Sequence, residues 1–457
     1  MGKTGKKRVL PESAVAGVVS KGDIWAKLSL VIMGIANLRR KQIVKGCVFL
    51  FLEVSFLLYM AKSGIEALKG MITLGTQTQG WVFDEELGID VLAEGDNSML
   101  LLLWGVLCLF VIVAFVMTWR ANLKSALEVQ ELEAKGKHIP GFIDDVKTYL
   151  DAKFHRTMLA LPMLGVLAFT VMPLVYMILV AFTNYDNTHQ PPGNLFTWIG
   201  LDNFGTILGS GGLISQTFWP VLGWTITWAV FATLLNYIGG ILLALLINRK
   251  SVKFKPFWRT MFVMSIAIPS FVSLLVMKTM LQPDGAVNVL LKSMGWIKES
   301  IPFLTDATMA KITIIVVNLW IGIPYTMLIT SGILMNIPES LYEAARVDGA
   351  NASVMFRKIT MPYVIFVTTP YLITQFIGNI NNFNVIYLLS GGGPSTLDYY
   401  QAGKTDLLVT WLYKLTVSSK DYSYASTIGI LVFVISAVFS LLTYRRTSAY
   451  NNEEAFQ

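Results

Sequence analysis

Apolar residues gather into eight long runs, at about 43–60, 98–117, 157–182, 219–247, 260–281, 311–335, 363–389 and 425–444. A helix rises about 1.5 Å per residue, so about 20 apolar residues cross about 30 Å of hydrocarbon. The pattern predicts an all-α, polytopic membrane protein with about eight transmembrane helices. The segments between the runs differ in charge. Lys and Arg mark residues 1–42, 118–156, 248–259, 336–361 and the end of the chain. Residues 61–97 hold Glu66, Asp84, Glu85, Glu86, Asp90, Glu94 and Asp96 against Lys62 and Lys69, and 183–218 contains no Lys or Arg. Basic loops stay on the cytoplasmic side, which predicts a multi-pass protein of the cytoplasmic membrane with both termini inside. In 390–424 the outward-placed Lys404, Lys414 and Lys420 are offset by Asp398, Asp406 and Asp421.

Composition agrees: of 457 residues 54% are hydrophobic and only 14% charged, where soluble domains carry about a quarter. The net charge of +7 is dispersed over short loops beside apolar runs, which argues against a nucleic-acid partner. Cys47 and Cys108 lie within apolar runs and read as inert thiols, and His138, His155 and His189 lack metal-ligand spacing. The basic first 40 residues predict a cytoplasmic lead-in with an amphipathic helix over 23–37 and no cleavable leader. The two halves do not mirror each other, which counts against an inverted-repeat secondary transporter. Glu53 is expected to face a partner helix or snorkel, and Lys278 to reach the interface. Gly322–Pro324 and Pro370 are expected to bend their helices, and Gly239-Gly240 to allow close packing.

The most distinctive polar stretch is 338–362, PESLYEAARVDGANASVMFRKITMP, set between the sixth and seventh runs. It predicts a short helix opened by Pro338, a turn at Asp348-Gly349, and a second helix capped by Asn351 or Ser353. Glu343-Ala344-Ala345, Gly349 three residues on, then Ile359 and Met361-Pro362 resemble the EAA loop of bacterial ABC-importer permeases, EAA-x3-G-x9-I-x-L-P. Met361 replaces Leu there. The resemblance implies a coupling loop that docks into the groove of a cytoplasmic ATPase, with Glu343, Ala344, Ala345, Gly349, Ile359 and Pro362 as its motif residues. Charge placement independently puts this loop on the cytoplasmic side.

Two further faces attract notice. Asn318, Gly322 and Tyr325 recur at i, i+4, i+7 in the sixth run, and Gln375, Asn379 and Asn382 in the seventh. Amides donate and accept, which suits a neutral polyhydroxyl ligand, and neither run contains a carboxylate of the kind ion carriers use. Spacing alone leaves ligand contact and interhelical hydrogen bonding both open. VNLWIGIPY (317–325), NNFNVIYLLSGGGP (381–394) and AGKTDLLVTWLYKLTV (402–417) resemble the maltose-transporter permeases of the MalF kind over roughly residues 150–445. That resemblance implies sugar contacts at Asn318, Ile321, Gly322, Tyr325, Asn379 and Asn382, with Ser270 from the fifth run. Gly378 and Ile266 stand where that family carries aromatics, which changes the stacking surface and leaves the oligosaccharide open. The large extracytoplasmic domain of the enterobacterial members is missing from the short 183–218 linker.

No phosphate loop, nucleophile elbow or zinc signature occurs; Gly2-Lys3-Thr4 lacks the upstream half of a phosphate loop. The resemblance thus implies a non-enzymatic permease subunit without a cofactor of its own, served by ATP–Mg on two partner ATPase subunits. A second, MalG-like permease and an extracytoplasmic sugar-binding protein complete the expected partners. The expected organisation is a cytoplasmic segment 1–42, two helices and a cytoplasmic loop in 43–156, an ABC-importer core in 157–445, and a tail 446–457. The expected cargo is a maltodextrin-like oligosaccharide. A galacto-oligosaccharide, or a self-contained secondary transporter, is the alternative.

Overall fold

The computed structural model describes residues 13–84, 88–249 and 251–445. The expectations resting on Gly2 to Arg8, Glu85, Glu86, Lys250, Arg446 and the tail 446–457 lie outside them. Among the described residues seven helices are long and apolar enough to span a bilayer, and a pair bent by 84° makes an eighth. The described residues form two compact units, those up to 180 with 188–198, and 181–187 with those from 199 onward.

The first unit opens with three short helices, α1 (Ala14–Lys21), α2 (Ile24–Leu28) and α3 (Ile35–Arg39). A single amphipathic helix over 23–37 does not form: α2 stops at Leu28, residues 29–34 turn, and Gly34 at φ +82° opens α3. Next come α4 (Ile43–Thr73), a β-hairpin of β1 (Gly80–Asp84) and β2 (Ile89–Ala93), and α5 (Ser98–Ala134). α4 runs some 13 residues past its apolar stretch before Leu74, at φ +58°, ends it. α5 likewise continues beyond Met117 as a polar helix. Two more helices, α6 (Phe142–Leu150) and α7 (Phe154–Val180), follow. The Asp96 carboxylate accepts the amides of Thr76 and Gln77 at 2.7 and 3.0 Å, tying the base of the β-hairpin. Those bonds hold the Asp96 carboxyl below its ordinary value. Residues 188–198 return to this unit, where Trp198 Nε1 donates to the carbonyls of Met71 and Ile72.

The second unit carries α8 (Asp202–Leu208), α9 (Leu213–Asn248), α10 (Lys255–Ala267), α11 (Ser270–Met280), α12 (Ala286–Ser293) and α13 (Ala307–Met335). Then come α14 (Glu339–Val347), α15 (352–380), α16 (Phe383–Leu389), α17 (Leu408–Lys414) and α18 (Tyr422–Arg445). α9 and α13 make the central crossing. A Cβ on Gly239 would meet Ile323 at 2.6 Å and one on Gly240 would meet Thr326 at 2.5 Å, so these glycines do set a close approach. The outright breaks fall elsewhere. α13 passes Pro324 and α15 passes Pro370 as continuous helices, whereas the chain breaks by 84° at Ile268-Pro269 and again at Asn381. Proline at 269 follows a residue in extended conformation, so the helix must stop there.

Residues 390–421 cover one end of α9. Trp224 Nε1 donates to Thr405 O, Thr225 Oγ1 accepts from Leu408 N, and Thr217 Oγ1 accepts from Tyr400 N. Two of the three lysines of this stretch have carboxylate partners: Lys414 reaches the buried Asp406 at 2.6 Å and Lys404 reaches Asp398 at 3.3 Å. Asp421 instead accepts the Tyr400 hydroxyl at 2.7 Å. Burial raises the Asp421 carboxyl above its ordinary value, and raises the Tyr400 hydroxyl as well.

Candidate functional site

Where α9, α13 and α15 meet, an enclosed cavity of about 40 Å³ is lined by polar uncharged side chains. Gly322 and Tyr325 come from α13, Gln375, Tyr371 and Asn379 from α15, and Asn236 from α9. The helical spacing therefore does bring Gly322, Tyr325 and Asn379 to one place. Asn379 is buried and donates from Nδ2 to Thr233 Oγ1 at 2.9 Å. Tyr371 shares a hydrogen bond with Thr326 Oγ1 at 3.1 Å and sets its ring 6.2 Å from that of Tyr325.

The remaining expected contacts sit outside this cavity. Asn318 is buried a turn away, its Nδ2 without a partner. Ile321 packs into the apolar cluster around Trp228 and Ile314. Asn382 spends its side-chain oxygen capping α16 through Val385 N at 3.2 Å. Ser270 is exposed at the start of α11, just past the break. The space beside Gly378 is open, with nothing within 4 Å of a Cβ built there.

Asn236 was not singled out from the sequence, yet it is the side chain pressed closest to Gly322. A Cβ at Gly322 would lie 2.1 Å from Asn236 Nδ2, and Asn236 Oδ1 is buried with no hydrogen-bond partner. A buried amide oxygen left unpaired costs about 1–3 kcal/mol. The sequence signal was present: an amide midway along a 36-residue apolar helix, one turn from Gly239-Gly240.

The family described as "Binding-protein-dependent transport system inner membrane component" matches residues 236–446, which hold most of this cavity and the 338–362 loop. The galactooligosaccharides transport system permease GanP of Bacillus subtilis is 34% identical over 430 residues, covering 94% of this chain and 98% of that protein. This chain belongs to that permease family. The maltodextrin permease MalC of Streptococcus pneumoniae is 33% identical over 438 residues, 94% of this chain and 97% of MalC. A solved bacterial ABC transporter involved in import of the acidic polysaccharide alginate is similar in structure. It has 26% identity and a TM-score of 0.55, covering 65% of this chain and 96% of that one. The chain is thus an ABC-importer permease, an inner-membrane transport subunit.

In this permease the 338–362 stretch folds as the motif spacing predicts. α14 ends at Asp348, Gly349 reverses the chain at φ +76°, and Asn351 Oδ1 accepts from Val354 N at 2.9 Å to open the next helix. Tyr342 OH and Thr360 Oγ1, 2.8 Å apart, brace the two short helices against each other. Glu343 and Ala344 are exposed, Ala345 and Ile359 are half-buried, and Pro362 is exposed at the start of the spanning part of α15. Val347 is 89% exposed, an apolar side chain with no cover in this subunit. Behind the loop, Asn248 at the end of α9 gathers several elements. Its carbonyl accepts from Lys255 Nζ, its Oδ1 from Arg259, and its Nδ2 donates to Ser331 of α13.

Proposed function

We propose that this permease carries a neutral oligosaccharide of the maltodextrin type, handed over by an extracytoplasmic binding protein. A second permease and two ATPase subunits loaded with ATP–Mg would complete the importer. The observation that carries the substrate class is the cavity at the α9–α13–α15 crossing. Amides and tyrosine hydroxyls line it, and no charged side chain does. Such groups exchange hydrogen bonds with sugar hydroxyls in either direction. Permeases named for maltodextrin and for galactooligosaccharides resemble the chain almost equally, at 33% and 34% identity.

Ligand sites usually enclose about 300–1,000 Å³, so at about 40 Å³ the cavity is too small to take an oligosaccharide as it stands. Opening it is the work assigned to the coupling loop. Glu343, Ala344 and Ala345 would meet the ATPase, Gly349 would set the angle between the short helices, and α15 would transmit the motion to the cavity. Tyr325, Gly322 and Asn379 would then meet sugar, with Asn318, Ile321, Asn382 and Ser270 joining as the helices separate. The basic loops support an arrangement with both termini in the cytoplasm.

The test is uptake by the reconstituted importer with its binding protein, across a panel of α-linked glucose oligomers and galactose-containing oligosaccharides. Uptake and sugar-stimulated ATP hydrolysis should respond to the former; a response confined to the latter would reassign the cargo. Gly349→Pro locks φ near −65° where the loop needs +76°. It should abolish uptake while the subunit still reaches the membrane at normal abundance. Normal uptake by that variant would refute the lever.

A further inference from the structure

α2, the loop 29–34 and α3 form a hairpin fastened to the side of α5 by polar rungs. At its base Gln130 Oε1 accepts from Asp23 N at 2.9 Å, and the buried Arg40 reaches Glu133 at 2.5 Å. Midway, Asn37 Nδ2 donates to Ser125 Oγ at 2.8 Å. At the tip, Asn122 accepts from Gly34 N and donates to Ser29 O, while Trp119 Nε1 donates to Leu30 O. From Glu133 to Trp119 the rungs climb about 21 Å along α5. The same hairpin lies along α4, where Met33 N donates to Glu53 Oε2 at 2.8 Å. Glu53 is ten residues, or about 15 Å, inside that helix. The tip therefore lies beside the middle of the apolar run of α4, and level with Trp119 and Asn122 where the apolar run of α5 gives way to its polar end.

Charge follows the same axis. No charged residue occurs between Leu28 and Leu38, whereas Lys21, Lys27, Arg39, Arg40 and Lys41 crowd the base. One side of the tip is packed, with Ala26 and Ala36 buried against Leu123 and Ala126. The other side is bare: Ile24 and Val31 are each 74% exposed and Ile32 is 42% exposed. Irregular backbone is tolerated at membrane depth only where its polar groups are answered. Here every amide from Ser29 to Gly34 has an acceptor, on Trp25, Lys27, Leu28, Glu53 or Asn122.

We propose that this hairpin is a re-entrant lipid wedge. Its uncharged tip sits among the acyl chains of the leaflet on the basic side, and its Lys/Arg base sits among acidic headgroups. The inference rests on residence in a bilayer and is independent of which sugar is carried. It also gives Glu53 a role that neither a partner helix nor snorkelling supplies, as acceptor for the backbone of the tip.

The test is spin-label depth measurement on the full chain within the assembled transporter, in vesicles of phosphatidylethanolamine and phosphatidylglycerol. Cys47 and Cys108 are replaced by Ala, and nitroxides are attached at Val31→Cys, Ile24→Cys and Lys41→Cys in turn. The Val31 label should be open to oxygen and closed to an aqueous nickel chelate, at a depth of about 5–10 Å. The Ile24 label should be shallower, and the Lys41 label open to the chelate. A Val31 label open to the chelate would place the tip in water and overturn the wedge. A Val31 label closed to both reagents would place it against protein and overturn the wedge equally.

Discussion

Asn122 in the first unit and Asn236 in the second hold their amides in opposite ways. In the first, Asn122 is fully buried and both ends of its side chain are occupied, by Gly34 N and Ser29 O. It is glue, joining a hairpin to a helix where water cannot compete. In the second, Asn236 and Asn318 are enclosed beside the α9–α13 crossing with an oxygen and a nitrogen left unpaired. Unpaired buried polar atoms destabilise a resting fold by about 1–3 kcal/mol each. Residue type does not separate the two uses; whether the partner is already in place does.

The sharpest way to break this contrast is at Gly322. Gly322→Ala should displace Asn236 and depress uptake severely, and Asn236→Ala should restore room for the added methyl. In a double-mutant cycle on thermal unfolding, the two positions should couple by about 0.5–3 kcal/mol. Additive effects would mean that the 2.1 Å approach is relieved without consequence.

Next in size is a crossed comparison of amides. Asn379→Ala and Tyr325→Ala should lower sugar-stimulated ATPase activity and shift its sugar dependence. Asn122→Ala should instead destabilise the first unit by about 1–3 kcal/mol, because it strands Gly34 N and Ser29 O. Its sugar dependence should stay that of the parent. An unchanged dose-response in the first pair would demote both to packing residues.

The smallest effects concern acid. Asp96 is held below its ordinary value by two backbone amides, so its stabilisation is complete at neutral pH. That stabilisation is lost as pH falls through the lowered value. Asp421 is raised by burial, so the folded state favours its protonated form, and stability falls as pH rises through the raised value. Thermal unfolding between pH 3 and 7 should therefore show Asp96→Asn blunting acid sensitivity, and Asp421→Asn gaining stability at the neutral end. Matching pH responses in the two variants would contradict the opposed environments.

Much of this was legible in the sequence, because membrane helices announce themselves by length and loops by charge. The coupling loop was legible for a local reason: Asp348-Gly349 and Asn351 fix a turn and a cap without help from distant residues. The cavity was half legible. Gly322, Tyr325 and Asn379 follow helical spacing, but Asn236 and Tyr371 enter only once three helices have crossed. Asn382 shows the limit of spacing as evidence, since the chain breaks at Asn381 and turns it into a cap. The N-terminal hairpin was hidden because its polar partners lie some 90 residues away on α5, where no periodicity connects them.

Glu53 has a consequence for how the chain is held together. Its acceptor oxygen is answered by a residue that leaves the ribosome twenty positions earlier. A chain lacking residues 13–42 would leave that carboxylate, a third of the way along α4, without the Met33 amide. In the finished fold the leading segment thus supplies the amide that this carboxylate accepts, so the first span and the segment before it make one hydrogen-bonded unit.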